Sequence, residues 1–579
     1  MKFLIDKSKL KAFFSVLYIV LVVVLIIDYG YSLPLWLDYC FLAFYTFSLV
    51  INISFHAFKL YRSEERHFRI DLLDGLSTVF VIICLYEQFI DDGTTLVVSD
   101  WMRWATILIL IRGANLPKIN YKRSVLNPAQ LFIISFVGLI GIGTFLLLLP
   151  NSTRTGISVT DALFTSTSAV CVTGLNIADT GSYFTRFGQT IIMLLIQAGG
   201  LGILTVASYF SYFFKEGATY ENQIALSDIS NSNKIGEVFT TLKRILVITF
   251  TVELMGAFLI FINLPPRIIP DFWERIYFSI FHAVSAFCNA GFSTLHNGLM
   301  QEGFVTNYRF QLTIIALFVF GGLGFPIVIN TLRYLKHFIK RNVLFFISGK
   351  DNYIPWILTL SSKLNLITTS ILIVAGTTII YLKEYEHTLS AHQGFGRFVT
   401  ALFTATTPRT AGFNTIDFNQ MQLSSIIVVM LLMWIGASPA STGGGIKTST
   451  FAIGTLNVLS LAKGKSKIEI FRREIAEISI RRAFAVISLS LIVIGVGTFF
   501  ISQLDKQMSL LDISFECFSA YSTTGLSLGI THRLSDASKL VLVAIMFVGR
   551  VSMLTILIAI FKKTRTFTYR YPKDEILIN

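Results

Sequence analysis

The chain has 579 residues, 53% of them hydrophobic and only 14% charged, whereas a soluble domain carries about 25% charged residues. Its net charge of +14 does not point to nucleic acid, because the lysines and arginines gather in short stretches between apolar runs, as on the inner face of polytopic membrane proteins. The five cysteines lie in or beside apolar runs, with no metal-ligand spacing and no candidate disulfide pair.

In chain order, residues 1–125 hold four hydrophobic stretches at about 12–28, 34–56, 74–90 and 102–114. The first has no small-residue cleavage site and is expected to be a membrane helix, not a removed leader. The fourth is short for a span of ~20 residues and carries Arg103 and Arg112. Arg103, Arg112 and Lys118 share an every-third-residue register that invites comparison with a voltage sensor, yet Thr106, Ile109 and Asn115 of that register are uncharged. Sensing gains ~2.3 kcal/mol per charge per 100 mV, so these few charges give little steepness. An accessory helical region is expected over 1–125, at most a degenerate sensor-like fold.

From about residue 128 one pattern recurs four times: a long apolar helix, a shorter semi-apolar segment, a glycine turn and a second long helix. The segments fall at 129–149, 159–171, 172–176 and 186–214, then at 243–263, 272–287, 288–292 and 309–333. The third set is 362–382, 394–408, 409–413 and 423–461, and the fourth 484–503, 509–521, 522–526 and 538–562. The expected repeats are 126–215, 216–340, 341–465 and 466–579. The middle segments are too short to cross a bilayer and read as re-entrant pore helices. Non-helical backbone at membrane depth is tolerated only where it is buried in protein or lines a wet cavity. Four such turns can meet that demand together by facing one axis. The fold class expected is an all-α polytopic membrane protein: four helix–pore-loop–helix repeats around one pseudo-fourfold pore, plus the N-terminal four-helix region. Basic links such as Lys59–Arg69, Arg333–Arg341 and Lys463–Arg482 would then lie in the cytoplasm with the N-terminus.

The turns themselves are Ser168-Ala-Val-Cys-Val-Thr-Gly174-Leu, Ser285-Ala-Phe-Cys-Asn-Ala-Gly291-Phe, Thr406-Thr-Pro-Arg-Thr-Ala-Gly412-Phe and Ser519-Ala-Tyr-Ser-Thr-Thr-Gly525-Leu, their glycines spaced 117, 121 and 113 residues apart. A dehydrated monovalent cation needs oxygen ligands in place of water, and rings of backbone carbonyls supply them. Glycine permits the left-handed backbone this requires and adds no side chain to block the hole. The candidate carbonyls belong to Cys171, Val172, Thr173 and Gly174; Cys288, Asn289, Ala290 and Gly291; Arg409, Thr410, Ala411 and Gly412; and Ser522, Thr523, Thr524 and Gly525. Each short helix would also aim its negative C-terminal end at the ion.

These four segments, with Gly436-Ala-Ser-Pro-Ala-Ser-Thr-Gly-Gly-Gly-Ile-Lys447, closely resemble the Trk/Ktr/HKT superfamily of potassium transporters over about residues 125–579. Thr410-Ala-Gly-Phe-Asn-Thr415, Gly443-Gly-Gly-Ile-Lys447 and Gly525-Leu-Ser-Leu-Gly-Ile-Thr531 carry the resemblance most specifically, and the short tail is similar to the Ktr branch. The resemblance implies a multi-pass subunit of the cytoplasmic membrane that takes up K+ through the filter, Na+ being a possible coupling ion. It further implies a homodimer in the lipid bilayer and a cytosolic nucleotide-binding ring protein as regulatory partner, for which Lys463–Arg482 is a candidate docking surface. Family members with serine at the first filter glycine tend to pass sodium, so Gly174 favours potassium. Cys288 stands where relatives often have asparagine. Ser552-Met553 stands where they often have Gly-Pro, which leaves the bend of the last helix without its usual residues.

The span 423–461 is about twice the ~20 residues a crossing requires, and its centre is too rich in Gly, Ser and Pro for a continuous helix. It reads either as a packing kink or as an unwound loop across the pore, which in the superfamily resembles a gate. The candidate gate residues are Gly436, Ser438, Pro439, Gly443, Gly444, Gly445, Lys447 and Arg550. Pro439 would break the helix. Arg550, in mid-helix, would cost about 2.5–3.5 kcal/mol to insert and is a functional candidate by default, with loop carbonyls as its expected partners. Gly321-Gly-Leu-Gly324 lies in an apolar span and is read as a close helix contact, not a nucleotide loop. A coupled transporter for another solute usually shows two repeats, not four. A membrane enzyme finds no support, since the eight histidines form no metal-ligand pattern and no nucleophile–base pair is evident.

Overall fold

The computed structural model describes residues 7–62, 68–90, 98–113, 128–202, 238–348 and 358–560. The basic stretch 112–123 with Lys118 is mostly outside them, as are the continuation of the 186–214 span beyond 202 and the basic tail 562–573. The described residues are mainly helical, with one two-stranded hairpin among them. Among the described residues, five helices are long and apolar enough to cross a membrane, and their apolar windows are only 22–33% buried. Leu254 and Phe258, for example, are 68% and 63% exposed on one such helix. Side chains of this kind at the surface of a membrane protein face lipid, which is as apolar as they are.

The N-terminal helices are α1 (Lys7–Gly30), α2 (Leu35–Arg62), α3 (Phe68–Ile90) and α4 (Asp100–Gly113). They bury Leu21, Tyr45, Leu49, Cys84 and Met102 against one another. At one end of the bundle the buried Asp28 takes both forks of the Arg103 guanidinium, at 2.9 and 3.0 Å, and the Tyr45 hydroxyl at 3.1 Å. Arg103 also reaches Asp100 at 3.0 Å and lies 5.1 Å from the Tyr29 ring centre. An arginine held this way is a packing element that closes α1 on α4. Charge-assisted bonds of this type contribute about 1.5–3 kcal/mol each. Asp28→Asn is therefore expected to lower the thermal midpoint of the detergent-solubilised protein; an unchanged midpoint would make the network incidental.

The bundle touches the rest of the molecule through the end of α1. The Asn151 side chain donates to the Tyr29 carbonyl at 3.1 Å, and the Tyr29 and Phe187 rings stack at 5.6 Å. A Cβ on Gly30 would come within 2.8 Å of the Leu149 side chain.

From residue 128 the same order of elements recurs. Unit one is α5 (Pro128–Leu147), α6 (Val159–Val170) and α7 (Arg186–Gly200). Unit two is α8 (Val238–Asn263), α9 (Phe272–Phe287) and α10 (Tyr308–Leu323), continued by α11 (Phe325–Ser348). Unit three is α12 (Leu360–Lys383), α13 (Phe395–Thr406) and α14 (Leu423–Trp434), continued by α15 (Thr448–Ala462). Unit four is α16 (Glu477–Leu504), α17 (Leu510–Ser522) and α18 (Asp536–Val551), continued by α19 (Met553–Ile560). The short second helices α6, α9, α13 and α17 have 12, 16, 12 and 13 residues. At ~1.5 Å per residue they reach roughly 18–24 Å, less than the ~30 Å hydrocarbon layer. Ser158, Asp271 and Ser509 cap three of them by accepting a backbone N–H of the first turn. Gly394, at φ 51°, precedes α13 without a side-chain cap.

Two expectations about the second long helices need correction. The span 309–333 is not one helix: α10 and α11 meet at 105° around Gly324, whose φ of 83° no helix accommodates. Pro326 then sits in the first turn of α11, where its missing N–H is harmless. The last span likewise ends at Val551 and restarts at Met553, with Ser552 at φ 74°. The bend thus survives without a Gly-Pro pair, at the expense of a non-glycine in left-handed backbone. A third difference is the hairpin Glu469–Ile470 with Arg473–Glu474 inside the basic link 463–482. Its turn residues Phe471 and Arg472 are both at positive φ, where a two-residue hairpin normally shows Asn or Gly, so nothing local announced it.

Candidate ion-binding site

Each short helix runs directly into its glycine turn, and the four turns share one backbone signature. The residue two before the glycine has positive φ in every case: Val172 55°, Asn289 60°, Thr410 68° and Thr523 50°. The glycines follow at 87°, 69°, 78° and 89°. A non-glycine held left-handed costs of order 1–3 kcal/mol, and such residues gather at functional sites. Hydroxyls on the short helices hold the turns in place. Ser168 Oγ accepts the Gly174 N–H at 3.1 Å and donates to the Leu175 carbonyl at 2.8 Å. Ser285 Oγ donates to Phe292 O at 2.7 Å, Thr407 Oγ1 to Phe413 O at 2.6 Å, and Ser519 Oγ accepts the Gly525 N–H at 3.0 Å.

The turns form a closed ring. A Cβ on Gly174 would strike the Ala290 carbonyl oxygen, one on Gly412 the Thr524 oxygen, and one on Gly525 the Thr173 oxygen. On Gly291 it would lie 3.0 Å from the Ala411 oxygen. The cyclic order is therefore 174, 291, 412, 525 and back to 174. Four carbonyl oxygens, each from the residue before a glycine, lie against the neighbouring glycine. Residues 351 apart in sequence, Gly199 and Arg550, are joined across the same closure.

Side chains of the turns leave this ring. Cys288 Sγ lies 3.8 Å from both Glu253 Oε1 and Gln197 Oε1. Arg409 reaches back to Thr369 on α12 at 3.3 Å. Asn289 donates to Thr410 Oγ1 at 3.3 Å and accepts from Thr442 at 3.0 Å, tying units two and three.

Between α14 and α15, residues 435–447 are unwound and pack against the ring on the side of the residues that precede the glycines. A Cβ on Gly443 would strike Thr410 Oγ1, one on Gly444 would strike Thr523 Oγ1, and one on Gly445 would come within 3.0 Å of Ser522. The loop is stitched to the break in the second unit: Ser438 N donates to Gly322 O at 2.9 Å, and Phe325 N to Ala440 O at 3.2 Å. A Cβ on Gly324 would come within 2.5 Å of Pro439 O. Gly444 N donates to Thr523 Oγ1 at 2.9 Å, and Lys447 Nζ to Gly443 O at 2.5 Å. Arg550 donates to the Thr442 and Gly199 carbonyls, linking loop, unit one and unit four. Gly436 sits with its Cα facing Gly444 O and Thr410. All the loop residues singled out in the sequence are thus brought to one place.

The residues that reasoning from sequence missed are the hydroxyls. Ser168, Ser285 and Ser519 open three of the four quoted segments, and Thr407 lies one place inside the other. Their recurrence was a visible signal. Thr442, and the Thr448 bond to Asn365 at 2.5 Å, had none.

Residues 102–568 match the profile of the TrkH family, described as cation transport protein. The chain belongs to the TrkH family of cation transport proteins. Among its relatives is the Ktr system potassium uptake protein B of Bacillus subtilis, 37% identical over 452 residues, covering 78% of this chain and 96% of that protein. The potassium/sodium uptake protein NtpJ of Enterococcus hirae is 35% identical over 466 residues, covering 79% and 98%. The crystal structure of the potassium transporter TrkH from Vibrio parahaemolyticus superposes with a TM-score of 0.60, covering 85% of this chain and 96% of that one at 18% identity; at that identity the likeness speaks for the fold. The TrkH match begins inside α4, so α1–α3 lie ahead of it. The TrkH family consists of membrane ion transporters, not enzymes.

Proposed function

We propose that this TrkH-family chain takes up potassium across the cytoplasmic membrane through the ring of backbone carbonyls. Filter ligands come from Cys171–Gly174, Cys288–Gly291, Arg409–Gly412 and Ser522–Gly525, with K+ as cargo. The observation that carries the reading is the closed ring, in which four carbonyl oxygens, one from each unit, lie against the glycine of a neighbouring unit; such a ring of backbone oxygens is what coordinates a dehydrated cation. The names of the relatives support potassium as the ion. The loop at Gly436–Lys447, with Arg550, acts as the gate: it packs against the ring on one side, and its removal would open the path. Sodium is the candidate coupling ion, as the potassium/sodium name of one relative suggests. The four units correspond to repeats 126–215, 216–340, 341–465 and 466–579, with 1–125 as an accessory region. The basic links support a cytoplasmic N-terminus, and a homodimer with a cytosolic nucleotide-binding ring protein completes the assembly.

The test is growth of a bacterial strain lacking its own potassium uptake systems, on low potassium, with the full chain expressed and its membrane insertion checked. Rescue that grows with added sodium supports coupling, and sodium-independent rescue removes it. Properly inserted protein that gives no rescue and no rubidium uptake would overturn the reading.

A further inference from the structure

Units two and four carry a second tie that units one and three lack. It lies on the side of the ring away from the loop and joins the residue nine before each glycine to the residue two after it. In unit two, His282 Nδ1 lies 2.9 Å from the Phe278 carbonyl, and Nε2 lies 2.9 Å from Ser293 Oγ. A carbonyl only accepts, so Nδ1 carries the proton and a neutral ring accepts the Ser293 hydroxyl at Nε2. In unit four, the Ser527 hydroxyl donates to Glu516 Oε1, and Thr531 Oγ1 donates to the same oxygen at 3.0 Å. The two serines are also folded alike: Ser293 Oγ accepts the Leu295 N–H at 3.1 Å, and Ser527 Oγ the Gly529 N–H at 2.8 Å. His282 and Glu516 are 0% and 1% exposed. Among the described residues Glu516 Oε2 has no hydrogen-bond partner, so the carboxylate's bonding is spent on this one leg. Units one and three have Thr165 with Asn176 and Phe403 with Asn414 at these places, and no side-chain hydrogen bond joins either pair.

In the cyclic order of the ring, Gly291 and Gly525 are diagonal. We propose that His282 and Glu516 are positioning residues that brace two opposite turns from behind and so set the preference for K+ over Na+. The reasoning rests on the uptake reading above. A smaller ion is served only if the carbonyls close inward. A buried strut from the short helix to the outgoing leg resists that movement in two of four segments. The rim of the ring is then stiff along one diagonal and compliant along the other, although the glycines themselves are fourfold.

The experiment measures K+ and Na+ uptake by the full chain in the uptake-deficient strain, normalised to protein in the membrane. Ser293→Ala and Ser527→Ala are each expected to lower the K+/Na+ preference about fivefold, the weight of one buried hydrogen bond. His282→Phe and Glu516→Leu lower it further. Glu516→Gln keeps it within about twofold, because the amide oxygen still accepts both hydroxyls. Thr165→Val and Phe403→Met, the equivalent places in the other diagonal, leave it unchanged. Wild-type preference in both serine variants overturns the proposal, and so does a loss in Glu516→Gln equal to that in Glu516→Leu, or a loss in Thr165→Val. Should the helix variants fail to insert, the serine variants decide alone. If the unmodified chain carries no K+, or Gly174→Ser leaves the preference untouched, the failure belongs to the glycine-ring reading and not to the struts.

Discussion

Replacing Gly174 by serine is expected to lower the preference for potassium over sodium by at least about tenfold, equivalent to ~1.4 kcal/mol. Two effects act together. The residue sits at φ 87°, where a side chain costs roughly 1–2 kcal/mol. Its Cβ would also collide with the Ala290 carbonyl oxygen. That oxygen is backbone and cannot swing aside as a flexible side chain would, so turns one and two must part and the ring widens. Gly412→Ala and Gly525→Ala meet the same collision with Thr524 O and Thr173 O and are expected to lose most uptake. Gly291→Ala is the mildest of the four, because its nearest neighbours stand 3.0 Å away and a shift of a few tenths of an ångström relieves them. Competition of sodium against rubidium uptake ranks the variants. Equal behaviour of all four, or greatest damage at Gly291, would contradict the ring geometry.

Arg550→Ala is expected to raise potassium flux, and deletion of Pro439–Gly444 to raise it more. The guanidinium holds the loop at the Thr442 carbonyl and holds unit one at Gly199. Hydrogen bonds from a charged donor are worth about 1.5–3 kcal/mol. Losing the one that exists only while the loop is seated shifts the seated and released populations by about tenfold or more. The remaining ties, from Ser438 to Gly322, from Phe325 to Ala440 and from Gly444 to Thr523, moderate the effect of the point change. The deletion removes several of them along with the obstruction. Flux per reconstituted protein, read as rubidium release from vesicles, measures both. Unchanged or reduced release in both variants would remove the loop from control of the path.

What was legible in the sequence was local. Apolar runs of ~20 residues, helices too short to cross and glycines at even spacing each follow from composition within a window, and the structure has them where those windows lie. The unwound stretch around Gly436–Gly445 was legible for the same reason, since Pro439 and the glycine triplet cannot continue a helix. Contacts between distant residues were less legible. Asp28 meets Arg103 across 75 residues with no local signature. Arg550 was expected to bond carbonyls of the unwound loop and does so at Thr442, but its second partner, Gly199, 351 residues away, had no such signal. The break at Ser552 was hidden because an ordinary residue there is forced left-handed by its surroundings. The bend at Gly324 was partly readable, because a glycine two places before Pro326 marks a permissible stop. The His282 and Glu516 struts were invisible until their serine partners could be seen folded against them.

Closure of the ring between Thr173 and Gly525 also bears on how the molecule is made. At ~5–20 residues per second, a ribosome that has released the first turn needs tens of seconds more to deliver the last. During that interval the N–H groups of the first turn are held within unit one, but its carbonyls lie at bilayer depth without the neighbouring turns that later enclose them, and exposed polar backbone there costs several kcal/mol per group. The nascent chain must therefore be sheltered by the insertion machinery, or wait in water at the membrane surface, until its C-terminal fifth arrives. Truncation anywhere before Gly525 should leave a product marked for degradation, not a partial pore.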